Sequence, residues 1–165
     1  MHRPTVSNHR LAIAAAALAV LALVGCMAPE ERAGADAVNA DRASFGLGAL
    51  VANEASVAKA QGWAVQLAGT SGGVCSTATL SHSILTVGAP NGWISLGENV
   101  ACRSTPGTIA GVVSPLEAQL LASPGHRANI LNAAYTDIGI GMAAVPMAGQ
   151  PGWIVVFETQ EFARI

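Results

Sequence analysis

Beyond its first ten residues the chain holds two histidines, His82 in "LSHS" and His126 in "SPGH", with Glu98 in "LGENVA" between them. Two imidazoles and a carboxylate form a ligand set that zinc or a similar divalent metal accepts. The same groups also make an acid–base pair. His126 follows a Pro-Gly break and opens a predicted short helical turn, "HRANILN". Helix N-termini favour neutral or anionic groups, which inclines an imidazole there toward its neutral, metal-binding form. The competing reading is that His126 does no more than hydrogen-bond across to Glu98. Asn99 is expected to order the "GEN" turn through its amide, and Arg127 reads as a surface or packing residue. Other chemistries find less support. Ser81 and Ser83 flank His82, but no Gly-x-Ser-x-Gly elbow is present. "GIGMAA" has the glycine spacing of a dinucleotide fingerprint, yet it lies in a late strand-like run with no helix after it.

The surrounding pattern supplies the elements that must hold these groups. From residue 35 the chain turns helical, with Val38, Arg42, Phe45 and Leu47 on a first helix closed by Gly46 and Gly48. Residues 49–68 form a second helix, with apolar positions recurring at three and four; "GTSGG" ends it. Residues 74–107 look irregular and are longer than a passive loop should be, so they are read as functional or as containing short elements. A third helix, "TIAGVVSPLEAQLLA", has Thr108 as its expected cap, and Pro115 should kink it or mark a fresh start with Ser114 as cap. Two strand-like runs, "TDIGIGMAAV" and "GWIVVFETQEF", finish the chain as a hairpin. Helices first and a strand pair last predict an α+β domain, its helices covering a small antiparallel sheet. Trp63, Trp93 and Trp153 are read as core or cleft walls.

The N-terminus reads as targeting rather than fold. Arg3 and Arg10 precede an uncharged apolar run over residues 11–24, shorter than the ~20 residues a membrane span needs and typical of a secretory signal. It ends in "LVGC", similar to a bacterial lipobox, in which the sulfur of Cys26 would carry the lipid and the chain would be cut before it. The alternative is an ordinary signal cleaved nearby. The expected organisation is a lipoprotein signal over 1–25, a short polar tether over 26–34 and one domain over 35–165. If Cys26 is lipidated, Cys75 and Cys102 remain as a pair. In an exported protein they are expected to form a disulfide contributing roughly 3 kcal/mol, the alternative being two buried thiols. The charge left after removal of the signal is mildly acidic and has no basic stripe, which argues against nucleic acid as a partner.

Asn39-x-x-Arg42 with Gly46, Leu47 and Leu50, then "SHS", "GENVA", "SPGHRANIL", "YTDIGIG" and "ETQEF" follow one another in this order. Together they resemble the SCP-like extracellular (CAP) domain, the superfamily of cysteine-rich secretory proteins, venom antigens and plant pathogenesis-related proteins, and most closely its bacterial secreted branch. The resemblance covers residues 35–162. It implies a three-layer α-β-α sandwich with a central antiparallel sheet, and a cleft of two histidines and acidic residues that binds a divalent metal in some members. His82, Glu98 and His126 match three of those positions. The fourth, a glutamate on the helix before the second histidine, has no match: Ser123 stands where it would lie. Glu117 is about two turns earlier, so the role is not carried over to it. Leu120 stands where bacterial members usually have a tryptophan, a large apolar exchange. Two functions remain open. One is a non-catalytic cell-envelope module, a monomer binding a lipid or small apolar ligand and held to the membrane by its lipid anchor. The other is a metal-dependent, protease-like hydrolase using His82, Glu98 and His126 with zinc. The missing acid and the lack of an evident nucleophile favour the first.

Overall fold

The computed structural model describes residues 27–165; the expected signal segment and the expected lipidation residue Cys26 lie outside them. Helix α1 spans Pro29–Ser44 and strand β1 Val51–Ala52. Helix α2 follows over Glu54–Thr70, then β2 over Ser95–Thr105. Helices α3 (Val113–Ala122) and α4 (Pro124–Ile130) lead into β3 (Asp137–Pro146) and β4 (Ile154–Arg164). The four strands lie in the order β1-β3-β4-β2. Pairs β3–β4 and β2–β4 are antiparallel. The two-residue β1 joins β3 in parallel, so the sheet is mixed rather than wholly antiparallel.

Alternation along the strands separates two cores, as period-two side-chain geometry requires. On one face Ile138, Ile140, Val156 and Phe162 pack with Val38 of α1 and with Leu116 and Leu120 of α3. On the other Val100, Cys102, Val155 and Phe157 pack with Leu67 and Ala68 of α2. Helices on both faces of one sheet make the predicted α-β-α sandwich, and Leu120 fills its core position without a tryptophan. The glycine run of β3 has a packing cause. A Cβ on Gly139 would lie 2.1 Å from the Ser56 carbonyl carbon, and one on Gly141 2.2 Å from that of Ala60. Helix α2 therefore rests directly on the strand backbone.

Several boundaries differ from the sequence expectation. Helix α1 starts at Pro29, so much of the expected 26–34 tether is packed structure. Its Glu31 is buried and accepts hydrogen bonds from the backbone N–H of Ala28 at 2.7 Å and of Met142 at 3.3 Å. Asn53 caps α2, its Oδ1 accepting from Ala55 and Ser56 N–H, which ends the helix there and leaves 51–52 to the sheet. Pro115 lies in the first turn of α3, where its missing N–H costs nothing, and the helix runs on unbroken. Neither Thr108 nor Ser114 caps that helix with its side chain. The largest difference is β2, an eleven-residue strand inside the stretch expected to be irregular.

Candidate functional site

Strand β2 carries the site on its two faces. Glu98 points toward α2 and Asn99 toward α4. The segment before β2 folds back over the edge of the sheet and brings His82 to Glu98. His82 Nδ1–H donates to Glu98 Oε1 at 2.7 Å, and Ser83 N–H donates to the same oxygen at 2.9 Å. Trp63 Nε1–H donates to the Ser81 carbonyl at 2.8 Å, pinning the segment to α2. His82 itself is largely open, 59% exposed, while the Glu98 side chain is 1% exposed. Disulfide Cys75–Cys102 joins the start of this segment to β2 with a Cα–Cα distance of 5.7 Å, as expected from the cysteine count.

Asn99 is fully buried and lies mid-strand, not in a turn. Its Nδ2 donates to the His126 carbonyl at 3.1 Å and to Gln160 Oε1 at 3.0 Å; its Oδ1 accepts from Asn129 at 2.9 Å. The amide thus fastens α4 to the sheet and sets where His126 stands. The close approach of α4 requires Gly97, since a Cβ there would lie 2.9 Å from Asn129 Oδ1, and 2.4 Å from the Tyr135 hydroxyl beside it. His126 is half-buried. Burial holds its imidazole below the ordinary range, and the nearby His82 lowers it further. His82 is bonded to Glu98, whereas His126 makes no such bond and is linked to the pair only by lying close enough for the His82 charge to be felt. Arg127 lies on the surface, its guanidinium 4.9 Å from the centre of the Phe45 ring.

The structure adds residues that the sequence reading missed. Lys59, the chain's only lysine, reaches from α2 to the Glu98 carboxylate. Its ammonium donates to Ser83 Oγ at 2.7 Å and to Glu161 Oε1, and lies 3.7 Å from Glu98 Oε2. Burial alone would raise Glu98, but hydrogen bonds involving Glu161, Ser83 and His82 outweigh it and hold the carboxyl below its usual range. Burial pushes Glu161 up to about 8; Glu98 adds to the rise and Lys59 works against it. Only the glutamates left a signal, two of them in a strand otherwise rich in Val, Ile and Phe. On the opposite face Glu117 and Glu158 are buried around Gln160, whose Nε2 donates to both at 2.8 and 3.0 Å. Glu117 therefore tethers α3 to the sheet on the face away from His82 and Glu98.

Residues 35–157 match the sequence profile of the Cysteine-rich secretory protein family, CAP. The chain belongs to the CAP family. Its fold is similar to that of an extracellular protein containing an SCP domain from Bacillus anthracis, at 24% identity and a TM-score of 0.57. That match covers 86% of this chain and 45% of the other, so the CAP chain spans less than half the length of that relative. It is also similar to an outer surface protein of Borrelia burgdorferi, at 15% identity and a TM-score of 0.56 over 82% and 92% of the two chains. No curated protein matches the chain in sequence.

The metal implied by the family resemblance can be tested against these side chains. Among the described residues no three His, Cys, Asp or Glu side chains converge as a metal-binding group. The space beside Glu98 Oε2 and Glu161 is taken by the Lys59 ammonium. As they stand, the residues do not fit a bound divalent ion.

Proposed function

We propose that this CAP domain is an exported, non-catalytic binding module that holds an amphiphile with a long apolar part, such as a fatty acid or lipid chain. The observation that carries this reading is a groove of about 420 Å³ between α2 and residues 83–88. Trp63, Ile84 and Val87 wall it, and Lys59, Gln66 and Ser83 are its polar lining. Its volume lies in the range of small-molecule sites, and a mostly apolar wall with a few convergent polar groups is their usual make-up. Within it Ile84 and Val87 are 71% and 64% exposed, apolar surface that calls for a partner. A chain laid along Trp63 and Val87 would place its polar end at Lys59 and Ser83, beside the His82–Glu98 pair. Export is supported by the N-terminal signal pattern and by similarity to an extracellular and an outer-surface protein. Lipidation at Cys26 would hold the groove at a membrane, where such ligands are found.

The test is photo-crosslinking of the full chain with a diazirine-bearing fatty acid, followed by peptide mapping. Label should fall on Trp63 and residues 83–88 and drop at least fivefold in Val87→Asp, with no turnover of peptide substrates. Label spread evenly over the surface and unchanged in Val87→Asp would overturn the reading. So would peptide hydrolysis abolished by His82→Ala, which would establish the hydrolase instead.

A further inference from the structure

The chain passes from the groove segment into β2 through a turn of sequence Pro90-Asn91-Gly92-Trp93. Asn91 and Gly92 are both exposed. Gly92 has a φ of 78°, a left-handed conformation that favours glycine. Among the described residues no hydrogen bond from Trp93 N–H to the Pro90 carbonyl closes the turn, and Gly92 N–H has no backbone acceptor. The Asn91 amide has no partner there either. The other asparagines of the described residues are held by their side chains: Asn39 to Leu50, Asn53 to Ala55 and Ser56, Asn99 to Asn129, and Asn132 to Ala134. None of them precedes a glycine. Asparagine is among the thermolabile residues. At Asn91 an unrestrained side-chain amide is followed by a backbone nitrogen with no neighbouring Cβ to hinder its approach.

We propose that Asn91 is a site of spontaneous modification, at which the Gly92 backbone nitrogen attacks the Asn91 side chain and the residue becomes isoaspartate or aspartate. The new bond joins Gly92 N to Asn91 Cγ. The Cγ–Nδ2 bond breaks, and Nδ2 leaves as ammonia with the proton of the Gly92 amide. The cyclic succinimide then takes up one water. Opening at the side-chain carbonyl gives aspartate; opening at the main-chain carbonyl gives isoaspartate, whose backbone runs through the former side chain. The balance is one water in and one ammonia out, without oxidant or reductant. Either product places a new carboxylate at the turn. Isoaspartate also adds a methylene to the backbone just ahead of Ile94, whose N–H donates to the Arg164 carbonyl at 2.7 Å. That product therefore loosens the entry of the groove segment into β2, whatever the groove holds.

The test is ageing of the full chain at pH 5 and pH 8.5, beside the same chain unfolded in guanidinium chloride, followed by peptide mapping and enzymatic methylation of isoaspartate. In the folded chain at pH 8.5, Asn91 should gain about 1 Da and become a methyl acceptor. Its rate should exceed that of any other asparagine by about tenfold or more, and should lie within about tenfold of its own rate in guanidinium, as an open turn requires. Conversion should be slower at pH 5, where less of the attacking amide is deprotonated, and should be lost in Asn91→Ser. Amide exchange at Ile94 should be about threefold or more faster in the isoaspartate form than in fresh protein, and should not change with ageing in Asn91→Ser. An Asn91 that stays intact in the folded chain while it converts in guanidinium would overturn the proposal. So would conversion of the other asparagines at an equal rate. Ile94 exchange that is unchanged in the isoaspartate form would overturn the loosening of the entry to β2.

Discussion

Glu117 and Glu158 show how single side chains make this domain sensitive to pH. Both are almost completely buried, and one oxygen of each has no hydrogen-bond partner among the described residues. Burial, then the neighbouring Glu158 charge, pushes Glu117 up to about 8; burial pushes Glu158 up to about 7. For an acid raised in the folded state, folding is favoured by the bound proton. That contribution is complete below the ordinary value of 4.5 and is lost as pH rises through about 7 to 8. Glu161 acts in the same direction, while His126, lowered by burial, acts in the opposite one. Glu117→Gln keeps the acceptor for Gln160 and removes the ionisable group. Thermal melts at pH 5 and pH 8.5 should show the wild type losing stability relative to Glu117→Gln by ~2 kcal/mol, or roughly 6 °C in Tm. Parallel curves for the two proteins would show that this carboxyl does not titrate differently in the folded state. Nothing in the sequence around Glu117 marks it as buried: a glutamate on an amphipathic helix is ordinarily solvated. Lys59 is hidden for the same reason, since a helical lysine is by default a surface residue. His82 was legible because beyond the first ten residues only His126 competes with it, and Glu98 because "GENVA" carries the family resemblance.

Among the elements, β2 explains most of what the sequence reading missed and most of what the site requires. Its residues Gly97, Glu98 and Asn99 do not alternate apolar with polar, because both faces are buried and the polar groups find partners inside. Periodicity therefore gave no strand there, although the strand pairs with β4 along its whole length. Helix α3 was legible from its apolar spacing, and β4 from its Val, Ile and Phe content although both of its faces are buried. The exposed edge of β2 receives α4, and Asn99 is the joint. Asn99→Ala would leave the His126 carbonyl, Gln160 Oε1 and Asn129 Nδ2 short of a partner. Stability should fall by about 3 kcal/mol, measured by urea unfolding, and the His126 resonances should broaden as α4 loosens. A loss under about 0.5 kcal/mol would mean that α4 is held by its apolar contacts alone.

In the whole molecule, three layers form the frame, and the groove proposed to bind ligand is walled by the segment that crosses its edge. Residues 76–94 are tied at one end by the Cys75–Cys102 bridge and at the other by β2. Reduction should cost roughly 3 kcal/mol in a urea melt and make this segment the first site of protease cleavage while the sheet persists; unchanged stability on reduction would contradict a structural bridge. The family resemblance made the sandwich and the His82–Glu98 neighbourhood legible in advance. It did not reveal the groove or the Lys59 ion pairs, which depend on how tightly α2 lies on β3 and on a segment without regular periodicity. Glu98 docks the segment around His82 and Ser83 against α2, and so forms the groove wall and places His82. Amide exchange at Ser83, whose N–H donates to Glu98 Oε1, reports this docking directly. The amide should be protected in the wild type and exchange about tenfold or more faster in Glu98→Ala, the loss expected for a hydrogen bond to a charged group. Ser83 exchanging at the rate of an open loop in the wild type, or equally slowly in Glu98→Ala, would contradict it.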